Sequence, residues 1–171
     1  KKIVEEDMFN EFTDKIKECL KHSSFASMGC DVADFNNDGL PDIYSLDMLP
    51  EDNYRKKMII PAASYDKFQL MLQNDYEPQY TRNALQLNNG DGTFTDILKE
   101  ATFQTSIFGM GFDAADFNND ELIDLFQIDM TPEDHFRRMV NVIPMSQETF
   151  DLSVDFGMHY QYMQNSLQLN N

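Results

Sequence analysis

Apolar and polar residues alternate over short stretches of the chain, a pattern that predicts β-strands. One such stretch, 29–35, leads into an acidic loop, and another, 42–47, leaves it. The pattern returns 82 residues later and predicts equivalent strands at 111–117 and 124–129. We therefore expect a mainly β protein with two strand pairs, each built around an acidic loop.

Helical insertions are predicted after each strand pair. Pro50-Glu51-Asp52 has the composition of a helix start, and the segment 64–72 places its apolar residues near helical spacing. The segment 146–152 repeats this arrangement, and Gly157 is suited to end the second helix. We place the two insertions at about 48–82 and 130–164.

An internal repeat with a period of roughly 82 residues carries the whole pattern. Asn-Gly and Asp-Gly dipeptides between 85–88 and 93–97 predict a β-hairpin, and the matching segment of the second repeat stops at Asn171. We interpret the chain as a fragment of a longer array. The best-matched segments are Phe12-Thr13-Asp14 with Phe94-Thr95-Asp96, and Asp34-Phe35-Asn36-Asn37-Asp38 with Asp116-Phe117-Asn118-Asn119-Asp120.

This period divides the chain into a lead-in at 1–11, a first repeat at 12–89 and a second repeat at 90–171 that is truncated in its last hairpin. No spacer rich in proline, glycine or serine separates the repeats. We therefore expect them to pack against each other.

The charge balance narrows the range of partners. The chain has 30 acidic and 13 basic residues, a formal net charge of −17 at pH 7. Such a surface repels phosphate backbones and anionic lipids, so nucleic acid and membrane surfaces are not expected partners. The sequence has no apolar run of roughly 18 residues that could span a membrane. Dense carboxylate instead suits a calcium-loaded protein, because each bound ion returns two positive charges.

The acidic loop of each repeat supplies oxygen atoms at alternate positions, which converge on one point when the loop curls. Calcium prefers about six to eight hard oxygen ligands in flexible geometry, whereas magnesium demands a stricter octahedron and is the weaker candidate. Gly39 permits a turn with positive φ in the first loop. Glu121 holds the equivalent position in the second loop, where a left-handed conformation is strained.

Two other interpretations of the loops were weighed. An EF-hand needs a bidentate glutamate at its twelfth position and flanking helices, but Ser45 and Gln127 stand there and strands are predicted on either side. An Asn/Asp-rich turn without metal stays open for both loops, and more so for the second because of Glu121.

The loop, the approach Phe-x-x-Met-Gly-x-Asp-x-Ala-Asp-Phe and the hairpin Leu-Gln-Leu-Asn-Asn-Gly-Asp-Gly-Thr-Phe resemble FG-GAP/VCBS repeats. These are integrin-α-type β-propeller blades, here in the form seen in large secreted or surface-anchored bacterial proteins. The resemblance implies β-propeller blades of a larger propeller, with Ca²⁺ in each inter-strand loop. The ligands that it implies are Asp34, Asn36, Asp38, Leu40, Asp42, Asp116, Asn118, Asp120, Leu122 and Asp124.

Several polar residues outside the loops are further candidates. The pairs Asp31/Asp113 and Asp47/Asp129 recur in register and could line a channel or hold a second cation. We favour the interpretation that they cap turns or bond to backbone amides. The histidines His22, His135 and His159 do not recur in register, so we expect surface or packing roles for them.

Aromatic and sulfur-containing side chains give weaker signals. Exposed tyrosines could stack on sugars, but burial in the core is the commoner role. Cys19 and Cys30 are expected to be small buried thiols, and a disulfide between them is possible. The tyrosines in or near the insertions are Tyr65, Tyr76, Tyr80, Tyr160 and Tyr162.

We expect a non-enzymatic, calcium-stabilised extracellular binding module that contacts a partner protein or glycan at the cell surface, with recognition centred on the insertions. The remaining blades of a longer parent chain are expected neighbours. The alternative is part of a calcium-dependent propeller polysaccharide lyase or other carbohydrate-active enzyme. A lyase needs Arg or Lys to neutralise uronates, and the acidic excess weighs against it. A cytosolic calcium sensor is a third option.

Overall fold

The computed structural model describes residues 15–51, 65–132, 134, 136–137 and 147–171. The strands are β1 (Ser23–Ser24), β2 (Ser27–Ala33), β3 (Asp42–Asp47), β4 (Gln79–Tyr80), β5 (Ala84–Asn88), β6 (Phe94–Asp96), β7 (Thr105–Ser106), β8 (Gly109–Ala115), β9 (Asp124–Asp129), β10 (Gln161–Tyr162) and β11 (Ser166–Gln168). The helices are α1 (Ile16–Cys19), α2 (Tyr65–Gln73), α3 (Leu98–Ala101) and α4 (Gln147–Asp155).

Two antiparallel sheets form the centre of the fold. Sheet 1 has the order β2-β3-β5-β6 and sheet 2 the order β8-β9-β11, so each runs up and down through strands that follow one another in the chain. Two short parallel pairs, β1 with β4 and β7 with β10, lie beside them. The mainly β prediction is confirmed, and within the described ranges the sheets do not close into a barrel.

The strands leaving the acidic loops, β3 and β9, have the predicted bounds. The strands entering the loops, β2 and β8, begin and end two residues earlier than the predicted 29–35 and 111–117. The reason is that Phe35 has left the ladder: its N–H donates to Asp42 Oδ2 at 3.0 Å. The loop conformation therefore starts before the apolar pattern ends.

The core lies between the two sheets. Tyr44, Leu46 and Leu85 project from sheet 1 and are buried with Phe35 and Leu98. Phe112, Ala114 and Leu125 of sheet 2 pack against this cluster, together with Ile123, which directly precedes β9. The expectation that the two halves of the chain pack against each other is confirmed.

A close backbone approach tightens this interface. Gly109, at the start of β8, faces Leu46 of sheet 1 so closely that an added Cβ would lie 2.2 Å from Leu46 Cγ. Any larger residue at position 109 would force the Leu46 side chain to shift.

The described part of each insertion contains a helix of nine residues, α2 or α4. Gly157 has a φ of +75°, and its N–H donates to the carbonyl of Val154 at 2.8 Å, so it ends α4 as predicted. Glu51 precedes residues 52–64, which lie outside the described part of the chain, so the helix start predicted there stays a prediction. The lead-in at 1–11 and His135 also lie outside it.

Cys30 is exposed, so the expectation of a buried thiol is wrong for this residue. It occupies the position of the interface residue Phe112 in the repeat, but it projects from the face of sheet 1 that sheet 2 does not cover. Both cysteines are free thiols, and no disulfide joins them. Among the described helices, none has the length and apolar composition needed to cross a membrane.

Candidate metal centres in the acidic loops

The first acidic loop is held by its own side-chain oxygens. Asp34 accepts the N–H of Asp38 on Oδ1 at 3.0 Å and the N–H of Gly39 on Oδ2 at 2.8 Å. Asn36 Oδ1 also accepts from Asp38 N at 3.2 Å, and Asp38 Oδ1 accepts from Leu40 N at 2.8 Å. The predicted loop residues are therefore brought together around one turn.

The second loop has the same set of bonds. Asp116 accepts the backbone N–H groups of Asp120 and Glu121, each at 3.0 Å. Asn118 Oδ1 accepts from Asp120 N at 3.0 Å, and Asp120 Oδ1 accepts from Leu122 N at 2.9 Å. The two loops thus share one conformation despite the exchange of glycine for glutamate.

That exchange falls on a left-handed residue. Gly39 has a φ of +84° and Glu121 a φ of +71°. The prediction that this position needs a positive φ is confirmed. Glutamate in this region costs on the order of 1 kcal/mol, which glycine avoids.

The last acid of each loop is buried in the sheet. Asp42 accepts the N–H of Phe35 on Oδ2 at 3.0 Å and the N–H of Asn88 on Oδ1 at 2.8 Å. Asp124 makes the equivalent bonds to Phe117 N and Asn170 N, at 2.9 and 2.8 Å. The Asp42 carboxylate thus connects the first loop to the end of β5, and the Asp124 carboxylate connects the second loop to the residues that follow β11.

The first loop carries hard oxygen donors, the kind of ligand that calcium prefers. Asn36 and Asp38 are exposed and Asp34 half-buried, and each of their side-chain oxygens has two lone pairs, of which the loop bonds use part. Across the described residues, no three histidine, cysteine, aspartate or glutamate side chains form a cluster that could hold a metal ion. The oxygen donors that the loop offers are mixed: carboxylates, the Asn36 amide oxygen and the carbonyl of Leu40.

Two of the recurring acids outside the loops, Asp47 and Asp129, cap turns, as favoured from the sequence. Asp47 Oδ2 accepts from Ser24 Oγ at 2.6 Å and Ala26 N at 2.8 Å, and Oδ1 accepts from Leu49 N at 2.7 Å. Burial raises the pKa of the Asp47 carboxyl. Asp129 makes the corresponding bonds in the second half of the chain, to Ser106 Oγ at 2.6 Å and Phe108 N at 3.0 Å.

Asp31 instead joins the two sheets. Its Oδ2 accepts the N–H of Ala114 in β8 at 2.9 Å, and its Oδ1 accepts from Val32 N at 2.8 Å. This too is a backbone-bonding role.

Two asparagines that the sequence interpretation missed complete the turn caps. Asn83 Oδ1 accepts from Asp47 N at 2.8 Å, and its Nδ2 donates to the carbonyl of Ser106 at 3.3 Å. Asn165 Oδ1 accepts from Asp129 N at 2.9 Å. Asn83 and Asn165 stand 82 residues apart, so the repeat itself carried the signal that could have found them.

Aromatic side chains of the insertions are largely on the surface. Tyr65 and Tyr76 are 75% and 60% exposed, so the expectation that they belong to the core is wrong. Tyr80 packs against Phe68 and lies under Arg82, whose Cζ is 5.5 Å from the ring centroid. The described helix of this insertion, α2, has no buried residue, and Tyr65 and Tyr76 are exposed along with it.

A second aromatic group lies near α4. Tyr160 stacks on Phe103 with ring centroids 5.6 Å apart, and Phe150 packs against both Tyr160 and Tyr162. Phe103 is 74% exposed. The stacked pair therefore presents a solvent-facing aromatic surface.

Two histidines have packing roles. His22 Nε2 lies 3.3 Å from Asp96 Oδ2, beside Arg82. His159 Nε2 lies 3.0 Å from Thr102 Oγ1, and burial lowers the pKa of His159. Packing is one of the two roles expected for them.

Comparison with known families supports the resemblance. The family model described as an FG-GAP-like repeat matches residues 70–126. The matched segment includes both the hairpin β5–β6 and the second acidic loop, the two elements on which the resemblance rests. No curated protein and no solved structure gives a significant match. Residues 70–126 thus match an FG-GAP-like repeat, a type of module that is typically extracellular.

Proposed function

We propose that this FG-GAP-like repeat is part of a calcium-stabilised β-propeller segment that acts as an extracellular binding module for a protein or glycan. The observation that carries the proposal is the pair of acidic loops with the same internal bonds, each at the same place in one of two packed sheets. A loop conformation kept at both places, even with Glu121 in a strained region, indicates a function that depends on the loop.

The sheets support the propeller part of the proposal. Each is an antiparallel meander, and the two pack face to face with β2 against β8, as neighbouring blades would. Leu46 and Leu85 of sheet 1 are 0% and 3% exposed under sheet 2, whereas their counterparts Ile128 and Leu167 in sheet 2 are 45% and 54% exposed. The open apolar face of sheet 2 is suited to carry another blade.

Calcium would supply positive charge where each loop concentrates acidic side chains. In the first loop, Asp34, Asn36, Asp38 and the Leu40 carbonyl would hold it, with Asp42 contributing the lone pairs that its amide bonds leave open. The second site would use Asp116, Asn118, Asp120, Leu122 and Asp124. Because empty loops leave carboxylates in mutual repulsion, calcium binding would contribute directly to folding free energy.

The calcium role is tested by thermal melting in calcium and in excess EDTA. We expect a higher melting temperature in calcium, and we expect Asp38→Ala to remove more of that gain than Asp120→Ala, because Gly39 relieves strain that Glu121 imposes. Tb³⁺ luminescence and calorimetry on the same variants would report the two sites directly. A melt that is the same in calcium and EDTA would leave the loops as ordinary turns.

The aromatic surfaces support the binding part of the proposal. Tyr65 and Tyr76 near α2, and the stacked pair Phe103–Tyr160 near α4, are rigid apolar groups that face solvent. Such side chains are enriched at recognition sites and stack well on sugar rings. They lie on or beside the insertions, on a scaffold that the strands hold fixed.

Ligand capture on a glycan array and on immobilised extracellular proteins would test this role. We expect Tyr76→Ala and Phe103→Ala to reduce capture while the melting temperature stays within a degree or two, since both side chains are exposed. Gln73→Ala, which changes an exposed polar residue at the end of α2, is the surface control. Loss of stability with unchanged capture would contradict the binding role and leave the aromatics as packing residues.

A further inference from the structure

The stacked pair Phe103–Tyr160 is a feature of the second repeat only. The residues at the matching positions of the first repeat are Lys21 and Pro78. The two rings are offset, with planes 11° apart and centroids 5.6 Å apart, and Phe103 is 74% exposed. The strand geometry that both repeats share therefore does not require these rings, and the ring of Phe103 faces solvent.

Glu51, which belongs to the first repeat, is bonded to the residues on both sides of Tyr160. Its Oε2 accepts the backbone N–H of His159 at 3.2 Å, and its own backbone N–H donates to Gln161 Oε1 at 3.1 Å. Gln161 is buried, and its strand β10 pairs with β7. Tyr160 is thus positioned from both repeats, so the stacked pair lies where the repeats meet.

A charged pair, Lys99 with Glu51, lies beside the stacked pair. Lys99 Nζ is 3.6 Å from Glu51 Oε1, beyond the roughly 2.7–3.2 Å of a direct hydrogen bond. The two side chains are 39% and 20% exposed, so solvent reaches both. Lys99 Nζ also donates to the carbonyl of Gly157 at 2.9 Å. Gly157 is three residues before Tyr160, a span of at most about 10 Å, so the two pairs are neighbours on the surface.

The gap between Lys99 and Glu51 is suited to a hydroxyl group. A hydroxyl both donates and accepts hydrogen bonds, so one bound there would accept from the ammonium group and donate to the carboxylate. It would replace a bridging water without loss of hydrogen bonds. Because the two charges cancel, the gap favours neither an anion nor a cation.

A sugar ring combines such hydroxyls with an apolar face. In a hexopyranose with equatorial hydroxyls, the axial C–H bonds point to the faces of the ring, where they pack on the negative face of an aromatic ring. The hydroxyls stand at the rim. The net charge of −17 repels sugars that carry carboxylates. An open aromatic ring, a balanced charged pair and acidic surroundings together favour a neutral sugar.

We propose a binding site for a neutral glycan with equatorial ring hydroxyls, formed by Phe103, Tyr160, Lys99 and Glu51. One sugar ring stacks on Phe103, and a ring hydroxyl lies between Lys99 and Glu51. Glu51 also positions Tyr160 behind the stack. The site rests on the proposed function and deepens its binding part, because it names the class of ligand and the place where it binds.

Titration of the isotope-labelled full chain in calcium, followed by NMR, tests the class of ligand. Cellohexaose and chitohexaose are neutral probes with equatorial hydroxyls. The cellouronic acid hexamer is the matched anionic probe, since it differs from cellohexaose by carboxylates at C6. We expect saturable binding of at least one neutral probe and none of the anionic probe. Phe103→Ala should weaken binding about tenfold or more, whereas Phe103→Tyr keeps the aromatic ring and should bind within about threefold of the unchanged chain.

The charged pair is tested against its counterpart in the first repeat. Lys17 matches Lys99 in register and donates to the carbonyl of Asp75 at 3.4 Å, as Lys99 donates to that of Gly157. Lys99→Met should weaken glycan binding about fivefold, because a charged hydrogen bond to the sugar is lost. Lys17→Met removes the equivalent lysine away from the aromatic stack and should bind like the unchanged chain. Glu51→Gln keeps an acceptor for His159 N and should also weaken binding about fivefold.

Neutral-probe binding that Phe103→Ala and Lys99→Met weaken, and that Phe103→Tyr and Lys17→Met retain, supports the site. Three results overturn it: no binding of either neutral probe, equal binding of the cellouronic acid hexamer, or neutral-probe binding that Phe103→Ala leaves unchanged. Capture of an extracellular protein that Phe103→Ala abolishes, without glycan binding, would overturn the glycan assignment and leave the proposed function intact. Absence of all capture, with identical melts in calcium and EDTA, would overturn both.

Discussion

Tyr44 of β3 lies flat against Phe112 of β8, with ring centroids 3.9 Å apart and ring planes 3° apart. This stack joins the two sheets at the centre of their interface, where Tyr44 is fully buried. The counterpart of Phe112 in the first repeat is Cys30, which is exposed. At this one position of the repeat, the residue is aromatic in sheet 2, where its face is covered, and small in sheet 1, where its face is not.

Phe112→Ala should destabilise the chain by about 2–3 kcal/mol. Truncating a fully buried phenylalanine costs about 3–5 kcal/mol, and Phe112 is only half-buried. Urea unfolding followed by circular dichroism would measure the change. Cys30→Ala is the matched control and should shift the unfolding free energy by less than about 0.5 kcal/mol, as expected for an exposed side chain. Equal effects of the two changes would show that the stack is not central to the interface.

Tyr44→Phe should leave stability unchanged or raise it by up to about 1 kcal/mol. The Tyr44 hydroxyl is buried without a hydrogen-bond partner among the described residues, and burial raises its pKa far above the usual range. Removing an unsatisfied polar group recovers its desolvation cost while the ring stack is kept. The same unfolding assay applies. A clear loss of stability would mean that the hydroxyl has a partner, such as a bound water.

Glu121→Gly should stabilise the chain by about 1 kcal/mol, because glycine adopts a φ of +71° without strain. Gly39→Ala is the reciprocal change and should destabilise by a similar amount. An added Cβ at Gly39 meets no atom within 4 Å, so only the backbone conformation is changed. Melts of both variants in EDTA would isolate this effect from metal binding. A destabilised Glu121→Gly chain would show that the glutamate side chain contributes more than its backbone costs.

The strands β3 and β9 were predictable because their alternation is bounded by the acidic loop on one side. The pairs β1–β4 and β7–β10 were not, since two residues are too few to show any period. The convergence of Asp34, Asn36 and Asp38 on one turn followed from their spacing. The exposure of Tyr65 could not be predicted, because burial depends on what the insertion packs against and not on the helical pattern of the insertion alone.

The turn caps show a different kind of limit. Asp47 is conspicuous in the sequence as an acid outside the loops, whereas Asn83 is not, although it recurs in register as Asn165. Its amide bonds to both halves of the chain, accepting from Asp47 N and donating to the carbonyl of Ser106. The recurrence marks the position in the sequence, but the partners of a neutral side chain are known only once the fold is known.

As the pH is lowered below about 6.5, the usual pKa of histidine, the free energy of unfolding should decrease. His159 should account for part of this decrease. Thr102 Oγ1 donates to the carbonyl of Leu98 at 2.8 Å, so it is left to accept a proton from His159 Nε2. Burial lowers the pKa of His159, with Lys99 acting in the same direction and Glu51 and Glu100 opposing it. The folded chain therefore favours the neutral ring.

The unfolded chain binds the proton first as the pH falls, so unfolding is favoured from about pH 6.5 down to the lowered pKa, where the loss levels off. His159→Gln keeps an amide donor for Thr102 but cannot titrate. As the pH is lowered from about 7.5 to about 5.5, we expect the unchanged chain to lose more unfolding free energy than His159→Gln does. Parallel profiles for the unchanged chain and His159→Gln would show that the ring is protonated as readily in the folded chain as in the unfolded one.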